Sequence, residues 1–182
     1  MVPQPSLSII FLFPTTGQIQ KERKEMYTNS VTNDKETVDD VYFLKQTIGN
    51  ACGTIAIIHA LANNLDSIDL GNFIEKTKDL DPYTKCKELE NNHDFANIHN
   101  STSQQGQTEP VEADSIIDFH FVAFTLKNGI LLEMDGTFDH PISHGKCTSL
   151  IRGAADVIKK YMEIEPNSSQ YSILSLGPPS SF

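Results

Sequence analysis

Cations are scarce in this sequence. Fourteen Lys and Arg stand against 24 Asp and Glu, a formal net charge of −10 at pH 7, so the chain has little with which to grip a phosphate backbone or an anionic lipid surface. Nucleic acid and membrane are thereby excluded as expected partners, and a substrate with a basic face is favoured. Long hydrophobic runs are lacking as well. The longest, Leu7 to Phe13, is broken by Ser8 and falls far short of the roughly 20 residues that a bilayer span needs. Nor does it read as the core of a secretory signal, because the first cation is Lys21 and Pro14-Thr15-Thr16 does not resemble a small-residue cleavage site.

Cysteine is rare: Cys52, Cys86 and Cys147 are odd in number and widely spaced, which argues against a disulfide framework and for a reducing compartment. Gly and Pro together number 19 of 182 residues, too few for a fibrous chain, and no internal repeat is visible. Two glycosylation-type triplets, at Asn100 and Asn167, are what a Ser- and Asn-rich sequence produces by chance. With 38% apolar residues over this length, one compact domain around a real core is the expectation.

The elements follow from periodicity. Residues 6 to 13 (SLSIIFLF) place apolar side chains on both faces of a pleat and end at Pro14, which predicts a strand covered on both sides. Gln18 to Tyr27 predicts a charged helix, and Asn29 to Asp40 a polar surface loop. From Gly49-Asn50, the run ACGTIAIIHALANN is apolar all around a helical wheel and predicts a buried helix. Leu70 to Leu80 and Pro82 to about Ile98 predict two peripheral helices, the second opened by Asp81-Pro82. Between Asn91 and Ser115 only five residues are apolar. A polar connection of that length inside a compact domain is functional or disordered. Then FHFVAFTL, Lys127-Asn128-Gly129 and ILLEMDG predict a hairpin with a two-residue turn. Lys146 to Met162 predicts a helix, and Tyr171 to Leu176 a last strand.

Chemistry enters at the start of the buried helix. Cys52 falls at its first turn, where free backbone N–H groups and the positive end of the helix dipole favour a thiolate. On position alone, a small Cys that merely packs is the competing reading. The hairpin supplies a partner. If Asn128 and Gly129 form the loop, Lys127 faces Ile130 and Val122 faces Asp135, so His120 and Asp135 are diagonal neighbours on one sheet face, within reach of a hydrogen bond. A three-residue loop would break this register. His120 shares its face with Val122, Phe124 and Leu126, where a polar ring needs a stated partner. Cys, His and an orienting carboxylate are the ingredients of thiol-based acyl transfer. Gln46, six residues before Cys52, carries an amide suited to an oxyanion, with the Cys52 backbone N–H as companion.

The stretch VYFLKQTIGNACGTIAIIHALANN, with Gln46 and Cys52, resembles the nucleophile segment of the ubiquitin C-terminal hydrolases, papain-like thiol deubiquitinases. The stretch FHFVAFTLKNGILLEMDGTFDHPISHG is similar to that family's histidine and aspartate segment, and the two occur in the family's order. The resemblance implies an α/β, papain-like fold with a mostly antiparallel sheet flanked by helices, forming a single catalytic domain over residues 1–182. It implies Cys52 as nucleophile, His120 as general base and acid, Asp135 as the carboxylate that orients it, and Gln46 as oxyanion donor. It places a crossover loop, which limits the leaving groups that pass, at residues 98–118. It implies ubiquitin as partner, no cofactor and no metal, and a monomer in the cytoplasm, with the nucleus also open. It implies further that family members carry a strand-and-helix segment ahead of the stretch beginning at Val2. The lack of that segment here predicts weaker folding and substrate binding.

Three alternatives stay open at this stage. One is a catalytically weak ubiquitin-binding protein with its motif intact, and another is a papain-like protease of different specificity. The third is a small metal site, since His140, His144 and Cys147 have ligand-like spacing and Cys86 offers a fourth donor. His59, His93 and His99 read as structural or solvated.

Overall fold

The apolar segment near the N-terminus is the strand from which the sheet is built. The computed structural model describes residues 5–33, 40–64, 72–92 and 119–178. Strand β1 (Ser8–Pro14) alternates Ile9, Phe11 and Phe13 on one face with Ile10 and Leu12 on the other, as the two-residue period of a strand requires. It pairs antiparallel with β2 (Phe119–Lys127) on one side and with β5 (Ser172–Leu176) on the other. With β3 (Ile130–Met134) and β4 (Ile142–Lys146) these form a five-stranded antiparallel sheet in the order β4-β3-β2-β1-β5. The β2–β3 turn is made by Asn128 and Gly129, with φ of 53° and 76°, the left-handed pair that a two-residue hairpin favours. Lys127 faces Ile130 and Ala123 faces Met134, which is the predicted register.

Helices cover both faces of this sheet. On one, α5 (Leu150–Ile164) buries Leu150, Ala154, Val157, Ile158 and Tyr161, a stripe with helical spacing. That stripe packs on Phe11, Phe13, Val122, Phe124 and Leu131, together with Ile19 of α1 (Gly17–Asn33). Each such large side chain contributes about 1.5–3 kcal/mol when fully buried. On the other face, α2 (Cys52–Ala62) lays Ala56 and Ala60 over Phe43, Ala123, Leu132 and Met134. Gly53 lets the two come close, since a Cβ there would meet the Phe121 ring at 3.3 Å. Behind α2, α3 (Asn72–Thr77) and α4 (Pro82–Glu90) close a satellite core around Ile55, Ala62, Ile74, Cys86 and Leu89. Asp81 caps α4, accepting from the Tyr83 and Thr84 amides at 3.0 Å, with Pro82 in the first turn.

Four expectations need correction. Residues 29–33 belong to α1 and not to a loop. Strand β4 was not foreseen: Lys146 ends it, and the last helix begins four residues later, at Leu150, capped by Ser149. α3 ends at Thr77 and not at Leu80, and α4 ends at Glu90. α2 is not buried all round, because Ile57 is 49% exposed. Residues 98–118, the expected crossover loop, lie outside the described residues.

Candidate active site

Cys52 is the first residue of α2, and the chain reaches it through a sharp reversal. Asn50 has φ of 54°, a conformation that Asn tolerates better than most residues. Ala51 then occupies the N-cap without a side-chain cap, so no side chain competes for the first amides of the helix. The Cys52 thiol faces the His120 imidazole and the backbone N–H groups of Phe121 and Gly53. Burial works against a thiolate here. The hydrogen bond and charge of His120 and the two amides outweigh it, and hold Cys52 below the ordinary thiol range.

His120 enters from β2, paired across the ladder with Phe13, whose ring meets the imidazole edge-on at 5.7 Å. Its Nε2–H donates to Asp135 Oδ1 at 2.9 Å. The carboxylate is buried, 1% exposed, and the same oxygen accepts from the Thr137 amide at 2.8 Å. With Nε2 committed to Asp135, Nδ1 is the nitrogen left for the thiol. Burial opposes a charge on His120, but the hydrogen bonds to Asp135 and Cys52 and the Asp135 charge prevail and raise it to about 9. Asp135 is pulled the other way: burial would raise it, but Arg23 and His120 hold it well below the usual carboxylate range. Both shifts favour the ion pair, a thiolate facing an imidazolium, over the neutral thiol and imidazole.

Gln46 lies on the strand-like approach to α2 and is docked on the residue after Asp135. Its backbone N–H donates to the Gly136 carbonyl at 2.8 Å. Gly136 has no room for a side chain, since a Cβ would sit 3.0 Å from the Gln46 Cβ, the Gln46 nitrogen and Ile55. One hydrogen of the Gln46 amide goes to the Ile48 carbonyl at 3.0 Å, which leaves the second for another acceptor. Its Oε1 is buried with no partner among the described residues.

The proposed metal ligands do not converge. His144 donates to Glu133 Oε2 at 2.9 Å, His140 stacks on Tyr27 at 4.4 Å, and the Cys147 thiol donates to the Ser149 carbonyl. Cys86 is buried in the satellite core. Among the described residues no three His, Cys, Asp or Glu side chains gather as a metal site. His93 and His99 lie outside the described residues. His59 is structural: fully buried, it accepts the Leu44 amide at 2.9 Å through Nε2 and stacks on Phe43 at 4.9 Å. Burial pushes it down to about 4.

Sequence reasoning missed the charged cluster behind Asp135. Arg23 of α1 contacts Asp135 and Glu133, and Tyr161 of α5 donates to Glu133 at 2.9 Å. Glu133 was findable, because its spacing of two from Asp135 puts both on one face of an extended chain. Arg23 carried only its spacing of four from Ile19.

A thiol lowered at a helix N-terminus, facing an imidazole held by a buried carboxylate, is equipped for acyl transfer, and here it sits on an antiparallel sheet flanked by helices. That combination defines a cysteine hydrolase of papain-like architecture. The sequence profile of ubiquitin carboxyl-terminal hydrolase, family 1, matches residues 1–163. The chain is 36% identical to ubiquitin carboxyl-terminal hydrolase isozyme L1 of Monodelphis domestica, over 96% of its own length and 80% of that protein. It is 38% identical to a ubiquitin carboxyl-terminal hydrolase of Aplysia californica, over 91% and 78%. Among solved structures it resembles the Trichinella spiralis UCH37 catalytic domain bound to ubiquitin vinyl methyl ester, with a TM-score of 0.78 and 26% identity over 97% of this chain and 78% of that one. The chain belongs to family 1 of the ubiquitin carboxyl-terminal hydrolases.

Proposed function

We propose that the protein is a deubiquitinase that cleaves the bond after the C-terminal glycine of ubiquitin through a thioester on Cys52. The observation that carries this reading is the Cys52–His120–Asp135 arrangement, with the thiol and the imidazole in contact and Asp135 2.9 Å from the ring. The Cys52 thiolate attacks the glycine carbonyl, forming a carbon–sulfur bond and an oxyanion. The free Gln46 amide hydrogen and the Cys52 backbone N–H are the donors assigned to that oxyanion. As it collapses, the bond to the leaving amine breaks and His120 gives that amine its proton. His120, now neutral, takes a proton from water as it attacks the thioester, and collapse expels the Cys52 thiolate beside the restored imidazolium and frees the ubiquitin carboxylic acid, which ionises to solvent. Asp135 keeps the ring in the tautomer that points Nδ1 at sulfur.

The acidic chain, net −10, suits approach by the basic, Arg-containing tail of ubiquitin. We further assign residues 1–182 to one catalytic domain acting as a monomer, with residues 98–118 filtering for small or flexible leaving groups. Three free cysteines support a reducing location, the cytoplasm with the nucleus also open. The test is intact-mass analysis after exposure to ubiquitin carrying a thiol-reactive C-terminal electrophile. One ubiquitin adduct is expected, and none on Cys52→Ala. A folded chain that binds ubiquitin tightly but forms no adduct and shows no turnover would instead be a binding protein.

A further inference from the structure

Arg23 lies in the run Lys21–Glu25, where Lys21, Lys24 and Glu25 are exposed, yet it is itself only 6% exposed. Its guanidinium is held from several directions. Nη2 donates to Glu133 Oε1 at 2.9 Å and to Asp135 Oδ2, and Nε donates to the Tyr161 hydroxyl at 2.9 Å. The guanidinium carbon lies over the rings of Phe13 and Phe138, 5.0 and 5.2 Å from their centroids. Glu133 is fixed in turn by Tyr161 and, on its other oxygen, by His144 at 2.9 Å. A buried ion cluster of this kind is seldom a net gain in stability over apolar residues of the same volume, so its use lies elsewhere.

The two Asp135 oxygens show what that use is. Oδ2 goes to Arg23, and Oδ1 goes to His120 and the Thr137 amide, so the carboxylate cannot turn about its own axis without breaking a charge-assisted bond. We propose that Arg23, clamped by Glu133 and Tyr161, is a positioning residue that locks the rotation of the Asp135 carboxylate and through it the His120 ring facing Cys52. This rests on the reading of Cys52, His120 and Asp135 as the reacting groups. The planar fork is essential to the role: Lys at this position keeps the charge but gathers its donors on one nitrogen, without the fixed separation of Nε and Nη2 that serves Tyr161 and Asp135.

Arg23→Lys and Glu133→Gln are therefore compared with the unmutated chain in two assays. The first is turnover of a ubiquitin C-terminal amide. The second is the pH profile of Cys52 alkylation by iodoacetamide, which needs no ubiquitin and reports the thiol–imidazole pairing directly. Folding of each variant is checked by circular dichroism and Tm. Expected for Arg23→Lys is a fall of about ten- to a hundredfold in kcat with KM changed less than about twofold, and an alkylation profile moved toward higher pH. Glu133→Gln, which keeps the side-chain shape, moves both readouts in the same direction by less. Loss of Tm with kcat and the alkylation profile unchanged in both variants would overturn the proposal and leave the cluster a scaffold. If the unmutated chain alkylates as a thiolate but does not turn over the amide, the hydrolase reading fails, and the alkylation comparison alone still decides the role of Arg23.

Discussion

Two side chains on different elements decide the protonation of the site. Cys52 is lowered and His120 raised to about 9, so the working ion pair exists between those limits. Turnover should rise with pH as the thiol ionises below its ordinary range, and fall as His120 loses its proton near pH 9. A pH–rate profile of kcat/KM checks this, and a descending limb near the free imidazole value would contradict it. The same pairing contributes stability that is complete below about pH 6.5, where an unpaired imidazole titrates, and that is lost as pH rises through about 9. Asp135→Asn removes the charge that raises His120 and sets its tautomer. It should lower kcat by at least about a hundredfold while ubiquitin affinity is retained; kinetics beside a binding isotherm would show it, and equal turnover would refute the role of Asp135.

Between elements, the tightest joint is the one where the approach to α2 meets the turn after β3. Gly136→Ala would drive a methyl to 3.0 Å from the Gln46 backbone nitrogen and from Ile55, neither of which is the free end of a flexible chain. A stability loss of about 1–3 kcal/mol is expected, together with reduced turnover, because Gln46 is displaced from the carbonyl that docks it. Denaturant unfolding and kinetics on the same preparation would report the two effects. This joint also shows how much of the site is readable beforehand. Asn128-Gly129 favours a two-residue turn, and on that turn the diagonal of His120 and Asp135 follows before any fold is considered. Cys52 was placed by the onset of an apolar run. Gly136, Arg23 and Tyr161 act through contacts 28 to 138 residues away in sequence or through a missing Cβ, and no local pattern encodes those. β4 was missed for a different reason. ISHGK contains Gly and lacks the β-branched and aromatic density that marks a strand, and it is a strand only because β3 offers it an edge, with a register shift on the way.

At the scale of the molecule, folding buries a histidine that resists protonation until about pH 4. His59 joins α2 to the segment carrying Leu44 and Gln46, and burial lowers it to about 4. A depressed value in the folded state means a contribution that is present above about pH 6.5 and lost as pH falls toward 4. Stability should therefore decline between about pH 6.5 and 4.5 with a slope approaching 1.4 kcal/mol per pH unit. His59→Gln retains an acceptor for the Leu44 amide but does not titrate, so it should flatten that slope even if it lowers stability at neutral pH. Urea unfolding at several pH values would show the difference, and parallel slopes would clear His59 of the acid sensitivity.

The thiol–imidazole pair straddles the sheet. Cys52 is carried by a helix packed on one face, whereas the Asp135 cluster that steadies His120 draws on α1 and α5 across the other. Each layer has its own core, and neither holds both partners. Heat or denaturant that slackens either layer will part sulfur from nitrogen before the strands themselves separate. The thiol thus works as a gauge built into the molecule: its reactivity should fade ahead of any spectroscopic sign of melting, and a preparation that looks folded by circular dichroism can already have lost the alignment on which it depends.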